Sequence, residues 1–294
     1  MSEPNTAILT PAADLHSIRW IQGAPDCRRS RDPALQAVAF DEETFVLRQS
    51  MCVNFEAPFM YLIFGKDAVL LHDTGATASP QRFPIRQTVD EIIARWLRAR
   101  GRETIRQIVT HSHGHGDHVA GDGQFSDLPA GSIAPTGVAG VSSFFEITNW
   151  PLGQATIDLG DRVIDVLPGP GHFDDHIFVF DRSRGLLLTG DSMYPGLLVV
   201  RNWAAYDQSI RRLAEFCRKS AERGEPVTHV LGAHIEMTNR PGVLFDLGVE
   251  FHPDEHPLPL PVGAIYELDA AVREAGDQPR EIRRNHFVVQ PFLQ

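Results

Sequence analysis

A chain of 294 residues, 43 % of them hydrophobic and 22 % charged, holds enough apolar material for a sizeable core and shows no fibrous or disordered bias. Its net charge of -11 repels polyanions, which argues against nucleic acid and anionic membrane surfaces as partners and favours a small-molecule substrate. Three cysteines (Cys27, Cys52, Cys217), odd in number and without a CxxC spacing, indicate neither a disulfide framework nor a thiolate zinc site and fit a reducing compartment.

The first twenty residues carry no basic stretch followed by an apolar one, so no secretory leader is read there. No run approaches the ~18 apolar residues of a membrane span, and the expected location is the cytoplasm. Residues 1–50 read as a lead-in segment wrapped around the core. Runs Phe59–Phe64 and Ala68–Leu71, separated by Gly65-Lys66-Asp67, predict a hairpin of buried strands. Residues 86–99 place Val89, Ile92, Ile93 and Trp96 at helical spacing, with Arg and Glu on the other side. Ile105–Thr110 returns as a strand and runs into a His- and Gly-rich stretch, 111–123, before Ile133-Ala134 suggests a further strand. Short apolar runs at Val163–Leu167, Ile177–Phe180 and Leu186–Leu188 predict strands of a second sheet. A helix over about 205–222, a strand Val227–Leu231, a Pro-rich loop through 262, a helix over about 263–274 and a strand His286–Val289 complete the chain. Strands fall into two groups, 59–134 and 154–231, with amphipathic helices beside each. The expected fold class is therefore α/β: two sheets packed face to face with helices outside, in a single domain over 1–294 whose C-terminal part, 235–294, supplies loop, helix and strand. A homodimer is compatible with all of this.

Directly after the strand that ends at Thr110, the segment His113-Gly114-His115-Gly116-Asp117-His118 packs four potential metal ligands into six residues. Histidines two apart point the same way while the chain is extended, and the Asp117-His118 pair faces a second ion as the chain turns toward a helix. Gly114 and Gly116 permit the tight bend. Downstream, His172 closes a Pro168-Gly169-Pro170-Gly171 turn, Asp191 ends Thr189-Gly190-Asp191, and His234 ends Gly232-Ala233-His234. Each follows a predicted strand, and loops at strand ends gather on one edge of a sandwich. Imidazole and carboxylate donors without thiolate suit two divalent ions, zinc first, with iron or manganese as alternatives.

In order and spacing, the HxHxDH motif, the later histidine, the aspartate and the final histidine resemble the metallo-β-lactamase superfamily, over about residues 59–234. The resemblance implies an αββα four-layer sandwich, a first ion on His113, His115 and His172, a second on Asp117, His118 and His234, and Asp191 bridging both. It implies that Asp73, in an Asp-Thr-Gly turn, supports the site from behind the ligands, and that His176 occupies a position often filled by histidine, although Asp174-Asp175 stands where Pro-Gly is usual. Asp117 is expected to act both as ligand and as orienter of a metal-activated hydroxide. Tyr194, in an Asp-x-x-Tyr spacing similar to that of N-acyl homoserine lactonases, is expected as a proton donor to the oxyanion or leaving group.

Other histidines have plainer readings. His111 lies outside the frame that sets Asp-His at the right distance and is expected to be structural or to back the ligands. His252-Pro253-Asp254-Glu255-His256 spells the letters of a zinc protease motif, but Pro253 and Pro257 oppose the helix that motif needs. Arg280, Arg283 and Arg284 read as a solvated face before an anion site. The function expected is binuclear hydrolysis of a small ester, lactone or thioester. Glyoxalase II-like thioesterases are the nearest rivals within that class. A mono-iron persulfide dioxygenase-like enzyme and a non-catalytic metal or ligand sensor are the alternatives outside it.

Overall fold

The computed structural model describes residues 9–11 and 14–292. In chain order the strands are β1 (Leu9–Pro11), β2 (Leu35–Asp41), β3 (Thr44–Gln49), β4 (Phe59–Phe64), β5 (Ala68–His72), β6 (Arg106–Thr110), β7 (Ala155–Asp158), β8 (Val163–Pro168), β9 (Ile177–Asp181), β10 (Leu186–Gly190), β11 (Gly196–Val200), β12 (His229–Gly232), β13 (Ile282–Arg283) and β14 (Phe287–Pro291). The helices are α1 (Ile85–Ala99), α2 (Gly116–Val119), α3 (Val138–Phe144), α4 (Trp203–Glu222) and α5 (Gly263–Ala275). One sheet runs β1 to β6 in sequence order, a second runs β12-β10-β9-β8-β7, and a small third runs β11-β14-β13.

Strand periodicity sorts the side chains into layers. Phe59, Tyr61 and Ile63 of β4 meet Ile177 and Val179 of β9 in a core between the two larger sheets. The alternate residues Met60, Leu62 and Phe64 face outward onto Val89, Ile92, Ile93 and Trp96 of α1. On the far side Phe178 and Phe180 pack with Ile210, Leu213 and Ala214 of α4 and Ile265 and Leu268 of α5. Helix, sheet, sheet, helix is the predicted order of layers.

Several expectations need correction. The lead-in segment is more than a wrapping, because β1, β2 and β3 build half of the first sheet. Ile133 forms an isolated bridge to Val109 in place of a further strand. Cys27 and Cys52 are joined in a disulfide, with Cα atoms 5.1 Å apart, while Cys217 is free and buried. An odd count requires only that one cysteine stay unpaired; the β2–β3 hairpin brings the other two together, which spacing alone does not reveal. The bridge removes the ground for expecting a reducing compartment. The reading of the leader falls partly on residues 1–8 and 12–13, outside the described residues. Among the described residues no helix is long and apolar enough to cross a membrane.

Two parallel strand pairs set up the functional edge. β5 lies parallel to β6, with His72 opposite Thr110, so Asp73 and the His-rich segment leave the first sheet side by side. β10 lies parallel to β12, with Gly190 opposite Gly232, so Asp191 and the Ala233-His234 pair leave the second sheet together. Tyr61 donates from its hydroxyl to the Gly232 carbonyl at 2.6 Å, and the Phe59 amide donates to the Ala233 carbonyl at 2.7 Å. These bonds fasten the two sheets at the end where the ligands emerge.

Candidate metal centre

After β6 the chain passes Ser112, turns through Gly114 and enters the short α2, which carries Asp117 and His118. Asp175 fixes that turn, its carboxylate accepting from the Gly114 amide at 3.0 Å and from the Gly137 amide at 2.5 Å. Asp73 has φ of 68°, a left-handed conformation that aspartate tolerates better than most residues. From there it accepts the Ser112 amide on Oδ1 at 2.6 Å and reaches His118 Nδ1 with Oδ2 at 3.0 Å. Gly190, at φ 49°, has no room for a side chain: a Cβ would stand 2.7 Å from His176 Nε2 and 2.8 Å from the Ser112 Cβ. Only glycine lets β10 deliver Asp191 between the histidines.

All seven predicted ligands converge, in two groups that share Asp191: His113, His115 and His172 on one side, Asp117, His118 and His234 on the other. Within each group the donor atoms lie within 4.8 Å of one another. Asp191 Oδ2 stands 3.4 Å from His172 Nε2 and 3.7 Å from His113 Nε2. Its other oxygen, Oδ1, stands 3.4 Å from His118 Nε2 and 3.3 Å from His234 Nε2. Asp117 Oδ2 closes the second group, 3.1 Å from His118 Nε2 and 3.4 Å from His234 Nε2. Donors about 2.0–2.1 Å from a tetrahedral ion lie roughly 3.3–3.4 Å apart, so these separations match an ion at the middle of each group.

The outward-facing atoms support the same fit. His172 Nδ1 donates to the Val199 carbonyl at 2.7 Å and His234 Nδ1 to the Glu56 carbonyl at 2.8 Å. His118 Nδ1 faces Asp73 and His113 Nδ1 faces the Ser112 hydroxyl at 3.1 Å. A ring that spends its Nδ1 proton outward presents a lone pair on Nε2 inward, as a metal ligand requires. His118 Nε2 and Asp191 Oδ1 are buried without a hydrogen bond of good geometry, which a cation would resolve. Burial, reinforced by the neighbouring His172, pushes His115 down to about 4, and burial with His118 holds His113 well below its usual range. Burial also opposes charge on His118 and His234, but Asp191 and Asp117 outweigh it and hold both well above the ordinary histidine value. A cluster this rich in carboxylate and imidazole is balanced either by protons or by cations.

The remaining candidates lie around this centre. His111 bonds Asp122 through Nε2 at 2.9 Å and stands outside both groups. His176 is fully buried, reaches the Ser192 hydroxyl at 3.3 Å and belongs to neither group. Tyr194 stands beside His234, ring centroids 5.5 Å apart, but its hydroxyl reaches the Leu197 carbonyl at 2.6 Å and Glu236 Oε2 at 2.9 Å. Burial, with Glu236 beside it, raises the Tyr194 phenol well above its ordinary value. The protease-like letters do not form a helix: Glu255 pairs with Arg48 and bridges to Thr238, and His252 reaches the Ile235 carbonyl at 3.1 Å. Sequence reasoning missed Asp175, Glu236 and the Glu56 carbonyl. Asp175, buried in the turn between His172 and β9, was the one with a signal, being half of the Asp174-Asp175 pair that stands where Pro-Gly is usual.

Residues 53–234 match the family model described as the metallo-beta-lactamase superfamily. Among solved structures, the metallo-beta-lactamase from Pontibacter korlensis aligns with 14 % identity and a TM-score of 0.51, over 81 % of this chain and 99 % of that one. One from Erythrobacter litoralis, solved with beta mercaptoethanol in its active site, aligns with 17 % identity and a TM-score of 0.53, over 83 % and 99 %. FIM-1 from Pseudomonas aeruginosa, in its mono-zinc form, aligns with 16 % identity and a TM-score of 0.50, over 85 % and 99 %. At such identities the likeness is one of fold. Curated protein sequences offer no match.

Proposed function

The chain belongs to the metallo-β-lactamase superfamily, and on that premise we propose that it is a hydrolase working with two divalent metal ions, zinc first, on a small ester, lactone or thioester. The observation that carries this reading is Asp191, whose two carboxylate oxygens face separate donor groups on opposite sides. His113, His115 and His172 would hold one ion, and Asp117, His118 and His234 the other. Bound there, the ions would supply a water activated near neutral pH and a Lewis acid for the substrate oxygen.

What the chain itself contributes is placement. Asp117, its side chain 20 % exposed, is the more open of the two carboxylates at the centre, and in this reading it both ligates and aims the attacking water. Ser112, Asp73, Val199 and Glu56 keep the imidazoles turned inward. Tyr194, with its hydroxyl engaged by Leu197 and Glu236, fits a positioning role beside His234 at least as well as proton donation.

Elemental analysis of metal per chain, paired with turnover of lactones, thioesters and phosphodiesters by the same sample and by Asp191→Ala, tests the proposal. Two ions and turnover lost with Asp191 would support it. One iron with oxygen consumption, or a loaded protein inert to every ester, would overturn it.

A further inference from the structure

Beside the metal centre lies a cleft whose walls come from segments 48–56 and 235–252, together with Leu197. It adjoins the centre through the backbone: Glu56 holds His234 by its carbonyl, and Ile235 and Glu236 follow that ligand directly. Phe55, Leu197, Leu244, Phe245, Leu247 and Val249 make its apolar surface. Phe55 is 40 % exposed and Leu247 87 %, large apolar side chains left open at the mouth.

The charges in this cleft are one-sided. Arg48 is spent on Glu255 in a two-pronged pair at 2.5 and 2.6 Å. His252 gives Nδ1 to the Ile235 carbonyl and stacks on Phe245, centroids 4.0 Å apart. Glu236 accepts from Tyr194 and the Leu197 amide through Oε2, while its Oε1 and both carboxylate oxygens of Glu56 accept no hydrogen bond among the described residues. An apolar arm is welcome here and a second anion is not.

We infer that this cleft seats the acyl arm of an uncharged ester or lactone along Phe55, Leu244, Phe245 and Leu247, and that Glu56 and Glu236 turn away substrates with an anionic tail. The inference rests on the hydrolase reading and narrows it: acyl groups ending in carboxylate or phosphate, including peptide thioesters of the glutathione kind, are disfavoured. Burying one methylene is worth about threefold to fourfold in affinity, and an added carboxylate facing the two glutamates costs roughly tenfold.

Metal-loaded protein is to be assayed for kcat/KM on p-nitrophenyl acetate, butyrate, hexanoate and octanoate, and on mono-p-nitrophenyl suberate, which adds a terminal carboxylate at octanoate length. The expected result is a rise of about threefold per methylene through hexanoate and a drop of roughly tenfold from octanoate to suberate. Glu56→Gln should narrow that last gap, and Leu244→Asp should flatten the chain-length rise, with both variants checked for folding by thermal melt. A flat chain-length profile, or suberate turned over as well as octanoate, overturns the inference. Calorimetry with octanamide against acetamide reads the same cleft without turnover. If no ester is hydrolysed yet octanamide binds and Leu244→Asp abolishes it, the hydrolase reading falls and the apolar seat stands; if octanamide binds no better than acetamide, the seat falls whatever the turnover.

Discussion

The metal centre and the cleft beside it are made from two kinds of chain. His113 to His118, Asp191 and His234 follow directly on strands of two parallel pairs, and each backing atom is a backbone carbonyl or a buried side chain within 3.1 Å. The 235–262 wall has no ladder; its backbone is tied by isolated bridges such as Met237–Leu244, Thr238–Glu255 and Gly23–Phe251. The proposed chemistry therefore sits on chain held by sheet ladders, and the proposed acyl seat sits on chain held by isolated bridges. The same division fits a fold kept at 14–17 % identity, since loops tolerate change that sheets do not.

The sharpest way to break this comparison is through the wall's buried ion pair. Glu255→Ala leaves the Arg48 guanidinium, 1 % exposed, without its partner, and should cost about 3–5 kcal/mol of stability, read as a lower urea midpoint. If wall and floor are separable, metal content stays at the parent level while KM for long-chain esters rises; metal lost in parallel would show them to be one unit. On the floor, Asp73→Ala should weaken metal retention on dialysis by about 10–100-fold, with a much smaller change in chain-length preference. Unchanged metal content would remove Asp73 from the support of His118. Smallest is Tyr194→Phe, which deletes one phenolic hydrogen bond and should lower stability by about 1 kcal/mol. A pH–rate profile that keeps its alkaline limb in this variant makes Tyr194 a support; a profile that loses that limb makes it the proton donor.

The floor was far more legible in the sequence than the wall, for physical reasons. Phe59–Phe64 and Ile177–Asp181 are buried on both faces, so they read as unbroken apolar runs, and α1 and α4 show their stripes because one side of each meets solvent. The metal donors follow such strands at short distances, so the local motif pointed to partners far along the chain, His234 more than a hundred residues away. β2 and β3 were missed because buried polar residues break up their apolar runs: Gln36, Arg48 and Gln49 are buried beside Leu35, Ala37, Val38, Val46 and Leu47, through partners elsewhere in the chain, Glu255, Thr77 and the Ile21 amide among them. A charged residue that is inside only because of a carboxylate 207 positions later carries no local sign of it. The cleft wall, rich in proline and held by long-range ties, offered no period to detect.

The Cys27–Cys52 bridge makes the shape of the cleft depend on where the chain is folded. It spans 25 positions, enough for about 3.5 kcal/mol by the chain-entropy account. Cys52 adjoins Met51 on the cleft wall, and Cys27 lies four residues after Gly23, which bridges to Phe251, the neighbour of the wall residue His252. Protein recovered from a reducing cytosol and protein recovered from an oxidising compartment are expected to share one metal affinity and differ in how firmly the wall is fastened. A substrate profile measured on either preparation belongs to that preparation until its thiols have been counted.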